Sequence, residues 1–506
     1  MNSAELMDYI NQKYHPERWT VGGIQIWVRT KVSLICQIEA GLGTTQPGKT
    51  KNSYLYRILR AIYRVPKRLV FQLSNFRLSL LQKSQNDMRD EAIVMVGYNH
   101  LRNFLLSNGQ YYHVYMDPIT DMCEKAGYKV KFFEHRIMPG RLRTPQYSTS
   151  IIPSFNWFIH VLSLRIKAHL LGHSLMPVTL EGYEDFRKDL QDMGYDGNLL
   201  PSHRQLEILA IETLFYKRYF LKHINLQTCR LGLCVDGHSP YMEGFVLACK
   251  DMGIPVAELQ HGVIGYDHAA FAYWDADQPY ENLPDYYICW DEASADSIRA
   301  WSNKVSWCQV LVAGNPWHAV LMDRFSPIIN MSIDKYHALF KQLMRDKGTE
   351  KAALLSLQGD MVRIGESFLE TIEATPNLLW IVRLHPTTSA REYARIQRTY
   401  GRYRNVFIDD GVEIPAVAWY PCVDYHVTLS STIALEVAWW GIPTISVDTT
   451  EYVLGMYPQL VKNKFLFVAH AKEEFLKLLD SVNKRTPLEQ FTCERYMHLL
   501  ESIMKR

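Results

Sequence analysis

The stretch HVTLSSTIALEVAWWGIPTISVD, residues 426–448, carries the clearest local pattern in the chain. An apolar strand ends at the S-S-T of residues 430–432, a helix starts there and ends at Gly441, and a second strand follows at 443–448. A strand, a helix and a strand in close succession predict a parallel βαβ unit, with the helix covering one face of the sheet.

The same alternation extends outward from this stretch in two runs. In the first run the predicted strands cover 92–98, 129–133, 231–236, 254–262, 286–290 and 310–315, with helices at 240–253 and 291–301. In the second run the predicted strands cover 353–359, 379–386, 405–411, 423–431 and 443–448. The predicted fold class is therefore α/β, with two Rossmann-like doubly wound domains that face a cleft.

The predicted domain organisation has four parts. A basic, amphipathic helical region (1–90) precedes the first Rossmann-like domain (91–325). The second Rossmann-like domain (350–480) is followed by a C-terminal helix (481–506). Because open α/β folds bind ligands at the carboxyl ends of their strands, we expect the functional site in the cleft.

Composition excludes several classes of protein. The 506 residues are 47% hydrophobic, which is too apolar for a disordered chain. Lys and Arg (55) nearly balance Asp and Glu (53), so no charge excess favours binding to nucleic acid. The nine cysteines contain no C-x-x-C pair, which favours free thiols in a reducing compartment over disulfides or zinc. The sequence shows no secretory signal and no spanning segment, so we expect a cytoplasmic protein.

Ser430, Ser431 and Thr432 stand where the predicted helix of the opening stretch begins, and Glu436 lies one turn further along. Backbone N–H groups at a helix start, with hydroxyls beside them, bind phosphate. A carboxylate at Glu436 can accept hydrogen bonds from ribose hydroxyls. Ordinary capping of the helix by Ser or Thr is the alternative interpretation. The combination predicts a nucleotide site.

Two further motifs end strands of the second run. Arg383, His385 and Pro386 follow an apolar strand, which the proline stops. Arg gives bidentate phosphate contacts, and His can donate to a phosphate or protonate a leaving group. Gln358 and Gly359 end the first strand and bring backbone N–H groups towards the ligand. Because G-x-G-x-x-G is missing there, we expect no dinucleotide cofactor.

The first run offers candidate catalytic residues at the ends of two strands. A D-G-H triplet contains Asp236 and His238, and a Q-H-G triplet contains His261. An imidazole at a strand end that faces the cleft is placed to act as a general base, although a histidine bonded into a turn is the alternative. Asp236 with His238 is a second acid–imidazole pair, so the identity of the base stays open. Asp275 and Asp277 form a D-x-D in a loop, where we expect no metal ion.

The R-x-H-P motif, followed by S-S-T and a helix that carries Glu before G-I-P, resembles bacterial surface-polysaccharide glycosyltransferases of GT-B architecture. The similarity is to capsule and lipopolysaccharide enzymes of the Kdo-transferase and polysialyltransferase kind, over about residues 230–450. Teichoic-acid CDP-glycerol polymerases share related H-G and R-x-H-P motifs. The resemblance implies that the phosphate and ribose of a nucleotide-sugar donor contact His385, Pro386, Ser430, Ser431, Thr432 and Glu436. Polysialyltransferase-like enzymes place the base in a D/E-D/E-G motif, and the D-G at 236–237 matches only its last two positions.

The segment 52–83 has seven Lys and Arg residues and no Asp or Glu. Its leucines, isoleucine and valine fall near helical spacing, which predicts an amphipathic helix at an anionic membrane surface. The alternative is a helix that packs its apolar stripe on its own domain.

The sequence therefore predicts a glycosyltransferase that needs no cofactor. The favoured donor is of the CMP-Kdo or CMP-sialic-acid kind, and the acceptor is a capsule or lipopolysaccharide glycan, lipid-linked or free. A UDP-sugar 2-epimerase, which needs no acceptor, and a CDP-glycerol-type glycerophosphotransferase are the alternatives. The basic segment favours transfer, because a lipid-linked acceptor lies at the membrane. A glycan-binding module without activity would not need two histidine motifs at strand ends.

Overall fold

In a computed structural model of the protein, two parallel sheets form the framework, one in each half of the chain. The structure describes residues 3–39, 90–136, 143–152, 163, 176–196, 199–265, 268–274, 279–357, 366–385, 388–411, 414–447, 452–488 and 492–505. Within these ranges, seven strands form the first sheet and six form the second. The predicted α/β fold with two Rossmann-like domains is confirmed.

The first half of the chain supplies the first sheet and its covering helices. The strands are β1 (Thr20–Val21), β2 (Ile24–Gln25), β3 (Ile93–Tyr98), β4 (Arg102–Leu105), β5 (Tyr111–His113), β6 (Val130–His135), β7 (Thr149–Ile151), β8 (Val178–Thr179), β9 (Leu231–Val235), β10 (Val256–Leu259), β11 (Tyr286–Cys289) and β12 (Gln309–Val312). The helices are α1 (Ser3–Tyr14), α2 (Trp27–Glu39), α3 (Asp117–Lys125), α4 (Tyr183–Asp192), α5 (His203–His223), α6 (Pro240–Asp251), α7 (Glu292–Ser302), α8 (Pro316–Met322) and α9 (Pro327–Lys347). The sheet order is β12-β11-β10-β9-β3-β6-β7, with every neighbouring pair parallel, while β2-β1-β8 and β4-β5 form small antiparallel sheets.

The second half supplies the second sheet. The strands are β13 (Lys351–Ser356), β14 (Leu378–Arg383), β15 (Val406–Asp409), β16 (Tyr425–Thr428), β17 (Thr444–Ser446) and β18 (Leu466–Val468). The helices are α10 (Glu366–Ala374), α11 (Ala390–Tyr400), α12 (Ile433–Ala438), α13 (Tyr452–Met456), α14 (Pro458–Lys462), α15 (Lys472–Ser481) and α16 (Cys493–Met504). The order β15-β14-β13-β16-β17-β18 is parallel throughout.

Both sheets reverse their winding direction at one place. In each domain the first strand lies beside the fourth, so β3 neighbours β9 and β13 neighbours β16. A reversal of this kind leaves a crevice at the carboxyl ends of the two strands, where doubly wound folds bind ligands. The D-G-H triplet follows β9 and the S-S-T loop follows β16, so each predicted motif lies at the crevice of its own domain.

The helix of the opening stretch is shorter than the sequence predicts. Helix α12 ends at Ala438, and the chain turns through Gly441, which has a φ of +76°. A Cβ atom at Gly441 would clash with the carbonyl oxygen of Arg485, whose N–H donates to the Gly441 carbonyl at 2.7 Å. The backbone of the segment after α15 therefore packs directly on this turn, and only glycine fits there.

The N-terminal residues belong to the core of the first half of the chain. Trp19 packs edge-on against Tyr183 at 5.1 Å between ring centroids and stacks on Phe186 at 5.8 Å. Its indole N–H donates to the Glu181 carbonyl at 2.7 Å. Residues 3–39 are thus packed with α4, although the sequence groups them with a separate region ending at residue 90. The basic segment 52–83 lies outside the described residues, and the four-part domain division stays a prediction.

The C-terminal helix returns to the first half of the chain. The N–H of Cys493, at the start of α16, donates to the Asp323 carboxylate at 2.7 Å. Further along the helix, Glu501 accepts a hydrogen bond from Tyr128 at 3.2 Å. The chain therefore crosses from the first sheet to the second and back again. Among the described residues, no helix has the length and apolarity needed to cross a bilayer.

Close packing of α5 on α6 depends on Gly244. A Cβ atom there would lie 2.8 Å from the backbone of Thr213 and of Lys217. We expect Gly244→Ala to lower the midpoint of thermal unfolding, because overpacking costs about 1–3 kcal/mol. Gly455→Ala is the control, since that helical glycine has no atom near its Cβ position and alanine favours helix. Equal or higher thermal midpoints for both variants, measured by circular dichroism, would contradict this packing.

Candidate functional site

The S-S-T loop of the second domain forms a tight turn between β16 and α12. The N–H of Ser431 donates to the Thr428 hydroxyl at 3.1 Å, and the Ser431 hydroxyl accepts from the N–H of Ile433 at 3.3 Å. Thr432 occupies the N-cap position without a side-chain cap bond, and Ser430 accepts from the Tyr457 hydroxyl through its carbonyl at 3.3 Å. The turn is thus fixed mainly through Ser431, while Ser430 and Thr432 are half-buried at the strand end.

Glu436 is held by two side chains that the sequence analysis missed. Its Oε2 accepts a hydrogen bond from the Tyr420 hydroxyl at 2.8 Å and lies 3.4 Å from Nε2 of His318. The indole N–H of Trp440 donates to Nδ1 of His318 at 2.9 Å. Because Nδ1 accepts that bond, the neutral imidazole carries its proton on Nε2 and presents it to Glu436. Both bonds use Oε2, which orients the carboxylate.

His318 comes from the first half of the chain, so its contact with Glu436 crosses between the domains. The G-N-P sequence of residues 314–316 positions this histidine at the start of α8. Asn315 caps α8 by accepting from the N–H of Trp317 at 2.9 Å, and Pro316 starts the helix. His318 follows on the first turn and is fully buried. The G-N-P motif is the signal in the sequence, although the motif alone does not name the histidine after it as functional.

The R-x-H-P motif contains one buried side chain, Arg383, and one exposed side chain, His385. Arg383 is 7% exposed, and its Nη1 donates to Asp409 at 2.5 Å and to the Ile414 carbonyl at 2.7 Å. This ion pair fixes the end of β14. His385 is exposed, and burial of part of its ring and the charge of Arg383 lower its pKa. Pro386, Gln358 and Gly359 lie outside the described residues, as do Asp275 and Asp277.

In the first domain, the D-G-H triplet lies on a buried carboxyl group. Asp236 has a φ of +58°, and the N–H of Gly237 donates to Glu258 at 3.0 Å. Glu258, on β10, is fully buried, and burial raises its pKa from an ordinary 4.5 to about 8. The Gly237 N–H opposes that rise, and the Asp236 carboxylate adds to it. Glu258 therefore supports the triplet in its protonated form at neutral pH.

His261 follows β10 on a loop that is fixed from both sides. Gln260 donates to the Gly262 carbonyl at 2.8 Å and accepts from the N–H of Trp290 at 2.7 Å. The Tyr115 hydroxyl donates to the His261 carbonyl at 2.8 Å. Burial lowers the pKa of His261, and the Asp236 carboxylate opposes that change. Nδ1 of His261 is buried without a hydrogen-bond partner, so the ring retains an unused polar atom.

Electrostatic interactions connect the two halves of the cleft. Burial raises the pKa of Tyr115, and the negative charge of Glu436 adds to that rise. The ring of Tyr115 also lies edge-on to His261, with 6.5 Å between centroids. The structure therefore brings Glu436 of the second domain near His261 and Asp236 of the first. Arg383 is occupied by its ion pair with Asp409.

Comparisons with known proteins concern the fold. No family model and no curated protein matches the chain. The UDP-GlcNAc 2-epimerase of Methanocaldococcus jannaschii is 12% identical, with a TM-score of 0.49, over 81% of this chain and 99% of that chain. The Neisseria meningitidis UDP-GlcNAc 2-epimerase bound to UDP-GlcNAc is 16% identical, with a TM-score of 0.48, over 82% and 100%. The wall teichoic acid polymerase TagF is 11% identical, with a TM-score of 0.39, over 90% and 94%. These neighbours have GT-B-type folds, and the likeness extends to the fold alone.

Protonation of Glu258 gives the protein a specific pH dependence. Between pH of about 4.5 and 8 the folded state keeps a proton that the unfolded state has released, so stability falls as pH rises. Glu258→Gln imitates the protonated form and cannot titrate. We expect its thermal midpoint to match the wild type near pH 4.5 and to exceed it increasingly up to pH 8. The difference in the free energy of unfolding should grow by at most about 1.4 kcal/mol per pH unit.

The control for this comparison is Glu494→Gln, at an exposed position on α16. It should follow the wild-type pH dependence. A Glu258→Gln variant that is less stable than the wild type at pH 8, measured by scanning calorimetry, would show that the buried carboxyl is ionised.

Proposed function

We propose that the chain is a glycosyltransferase that moves a sugar from a nucleotide-sugar donor to a glycan acceptor in the cleft. One observation carries the proposal: an aspartate and a histidine follow neighbouring strands of the first sheet, and a carboxylate lies beside a hydroxyl-rich turn of the second. The pair is Asp236 and His261, and the carboxylate is Glu436. Two domains that each present one half of a site suit a reaction between two substrates.

In this proposal the second domain binds the donor. Ser430, Ser431 and Thr432 contact its phosphates through backbone N–H groups and hydroxyls. Glu436, oriented through Oε2 by Tyr420 and His318, accepts from the ribose hydroxyls. His385, which is exposed beside this region, stabilises the charge that develops on the departing phosphate. Pro386, Gln358 and Gly359 complete the proposed donor loop, and no metal or organic cofactor takes part.

The first domain activates the acceptor. The lowered pKa of His261 keeps its imidazole neutral at physiological pH, and a neutral imidazole accepts the proton of an attacking hydroxyl. Asp236 stabilises the imidazolium that forms, because it favours the charged ring. His238 lies in the same loop as Asp236. The finer proposal is a CMP-Kdo or CMP-sialic-acid donor and a capsule or lipopolysaccharide acceptor, at the cytoplasmic face of the membrane.

The donor site is tested by His385→Ala on the full chain. One lost charge-assisted contact costs about 1.5–3 kcal/mol, so the affinity for the nucleotide should fall about 10- to 150-fold. Titration calorimetry with CMP, UDP, GDP and CDP measures it. His470→Ala, at an exposed histidine paired with Glu474, is the control and should bind as the wild type does. Unchanged affinity for all four nucleotides in His385→Ala would contradict the donor assignment.

The base is tested by His261→Ala. Loss of a general base lowers turnover about 10²- to 10⁴-fold, while donor affinity should stay unchanged because the donor is bound by the other domain. In the wild type, the acid limb of kcat/KM should lie below pH 6.5, as the lowered pKa of His261 requires. His203→Ala, on an exposed first turn of α5, is the control. An active His261→Ala beside an inactive Asp236→Asn would assign the base to Asp236.

An activity assay on the wild type distinguishes glycosyl transfer from the two alternative activities, 2-epimerisation and glycerophosphate transfer. Donors of the CMP, UDP, GDP and CDP classes are incubated with and without a glycan acceptor, and products are analysed by mass spectrometry. Transfer requires the acceptor and releases the nucleotide. Conversion of a UDP-sugar without acceptor would indicate a 2-epimerase, and release of CMP from CDP-glycerol would indicate a glycerophosphotransferase. Either outcome would overturn the proposal.

A further inference from the structure

Two half-buried basic side chains near the D-G-H triplet carry buried nitrogen atoms that lack hydrogen-bond partners. Among the described residues, Nε, Nη1 and Nη2 of Arg29 are all buried without an acceptor, and so are both ring nitrogens of His238. The nearest opposite charge to Arg29 is Glu243, with 3.3 Å between Nη2 and Oε2. That contact pairs Nη2 with a carboxylate in a geometry that is poor for a hydrogen bond, and Nε and Nη1 have no acceptor.

Both side chains lie at the crevice of the first sheet. Helix α2 brings Arg29 beside Tyr98, at the end of β3, where its positive charge opposes the rise in the pKa of the phenol caused mainly by burial. The Tyr98 hydroxyl donates to Ser239, the N-cap of α6, at 2.6 Å. His238 directly precedes Ser239. Arg29, paired with Glu243 on α6, and His238, just before α6, thus both lie near the place where the first strand lies beside the fourth.

Several basic side chains lie around His238. Burial lowers its pKa to about 3, and the charges of Lys31, His268, His261 and Arg29 lower it further. The Phe271 ring lies between His238 and His268, at 5.8 Å and 5.0 Å between centroids. Lys31 is already occupied, because its ammonium donates to the Ala272 carbonyl and lies over the Trp274 ring. Within the part of the chain that the structure describes, Arg29 and His238 offer nitrogen donors to a ligand at this place.

A buried guanidinium without acceptors is costly, and burial also raises the pKa of its partner Glu243. An oxyanion would remove that cost. Its oxygens would accept from the planar fork of Arg29 and from one N–H of His238, and the N-terminus of the 12-residue helix α6 adds a favourable dipole.

We infer that Arg29 and His238 form a binding site for an oxyanion, a carboxylate or a phosphate group, in the first-domain half of the cleft. Assignment of that group to the glycan acceptor rests on the proposed function, in which the first domain holds the acceptor. The acceptor is then an acidic glycan: a uronic or nonulosonic acid supplies a carboxylate, and a phosphorylated sugar supplies a phosphate. The anion site itself requires neither donor nor turnover.

The test is titration calorimetry on the full chain without nucleotide, at constant ionic strength. The probes are inorganic phosphate and glucuronate, with glucose as the uncharged control. We expect the wild type to bind one or both anions and not glucose. Arg29→Gln and His238→Ala should each weaken anion binding at least tenfold. Arg299→Gln, which removes an arginine paired on the surface of α7, should bind as the wild type does.

The results of these titrations decide whether the anion site exists and which acidic group it binds. Binding of phosphate alone or of glucuronate alone identifies which acidic group the site takes. Absence of anion binding in the wild type, unchanged binding in Arg29→Gln and His238→Ala, or an equal loss in Arg299→Gln overturns the inference. Since His238→Ala removes no buried cation, it decides the question if Arg29→Gln fails to fold. Nucleotide titration of the same variants reports on the donor site separately, so failure of either site is recognised independently.

Discussion

Burial of every central strand on both faces is the constraint that organises this protein. All residues of β3, β9, β10, β14 and β16 are buried, because helices cover both sides of each parallel sheet. A carboxyl group within such a strand that has no cation beside it, such as Glu258, keeps its proton at neutral pH because burial raises its pKa. Polar chemistry is therefore displaced to the carboxyl ends, where the D-G-H, Q-H-G and S-S-T segments leave the sheets and face the cleft.

Two kinds of contact connect the domains across the cleft: a short chain of hydrogen bonds and one pair of tryptophan rings. Trp440 fixes the tautomer of His318, and His318 and Tyr420 fix Glu436. Beside them, Trp290 and Trp439 meet edge-on at 5.7 Å between centroids. Glu436 is oriented in part by His318 of the opposite domain. Its carboxylate therefore keeps this orientation only when the two domains hold this relative position. The orientation of Glu436 and the relative position of the two domains are in this way linked.

Much of the fold followed from the sequence, because buried parallel strands are continuous apolar runs separated by glycine turns. Candidate site residues could be named from the sequence only where a chemical group follows such a run, as Asp236 and His261 do, and their roles stay predictions. Arg29 and His318 were missed for physical reasons: each reaches the cleft from a helix, and which face of a helix meets the cleft is decided by tertiary packing. The raised pKa of Glu258 could likewise not be predicted from the sequence, because it depends on burial in the folded protein.

The return of α16 to the first sheet has a consequence for biosynthesis. Cys493 donates to Asp323, which lies 170 residues earlier in the chain, and the second domain is made in between. At about 5–20 residues per second, a ribosome needs roughly 10–35 s to translate that interval. During this time the surface of α3 that receives α16 stays uncovered on the nascent chain. Early chaperone engagement, or a pause before the last helix emerges, would therefore act on the first domain rather than on the second.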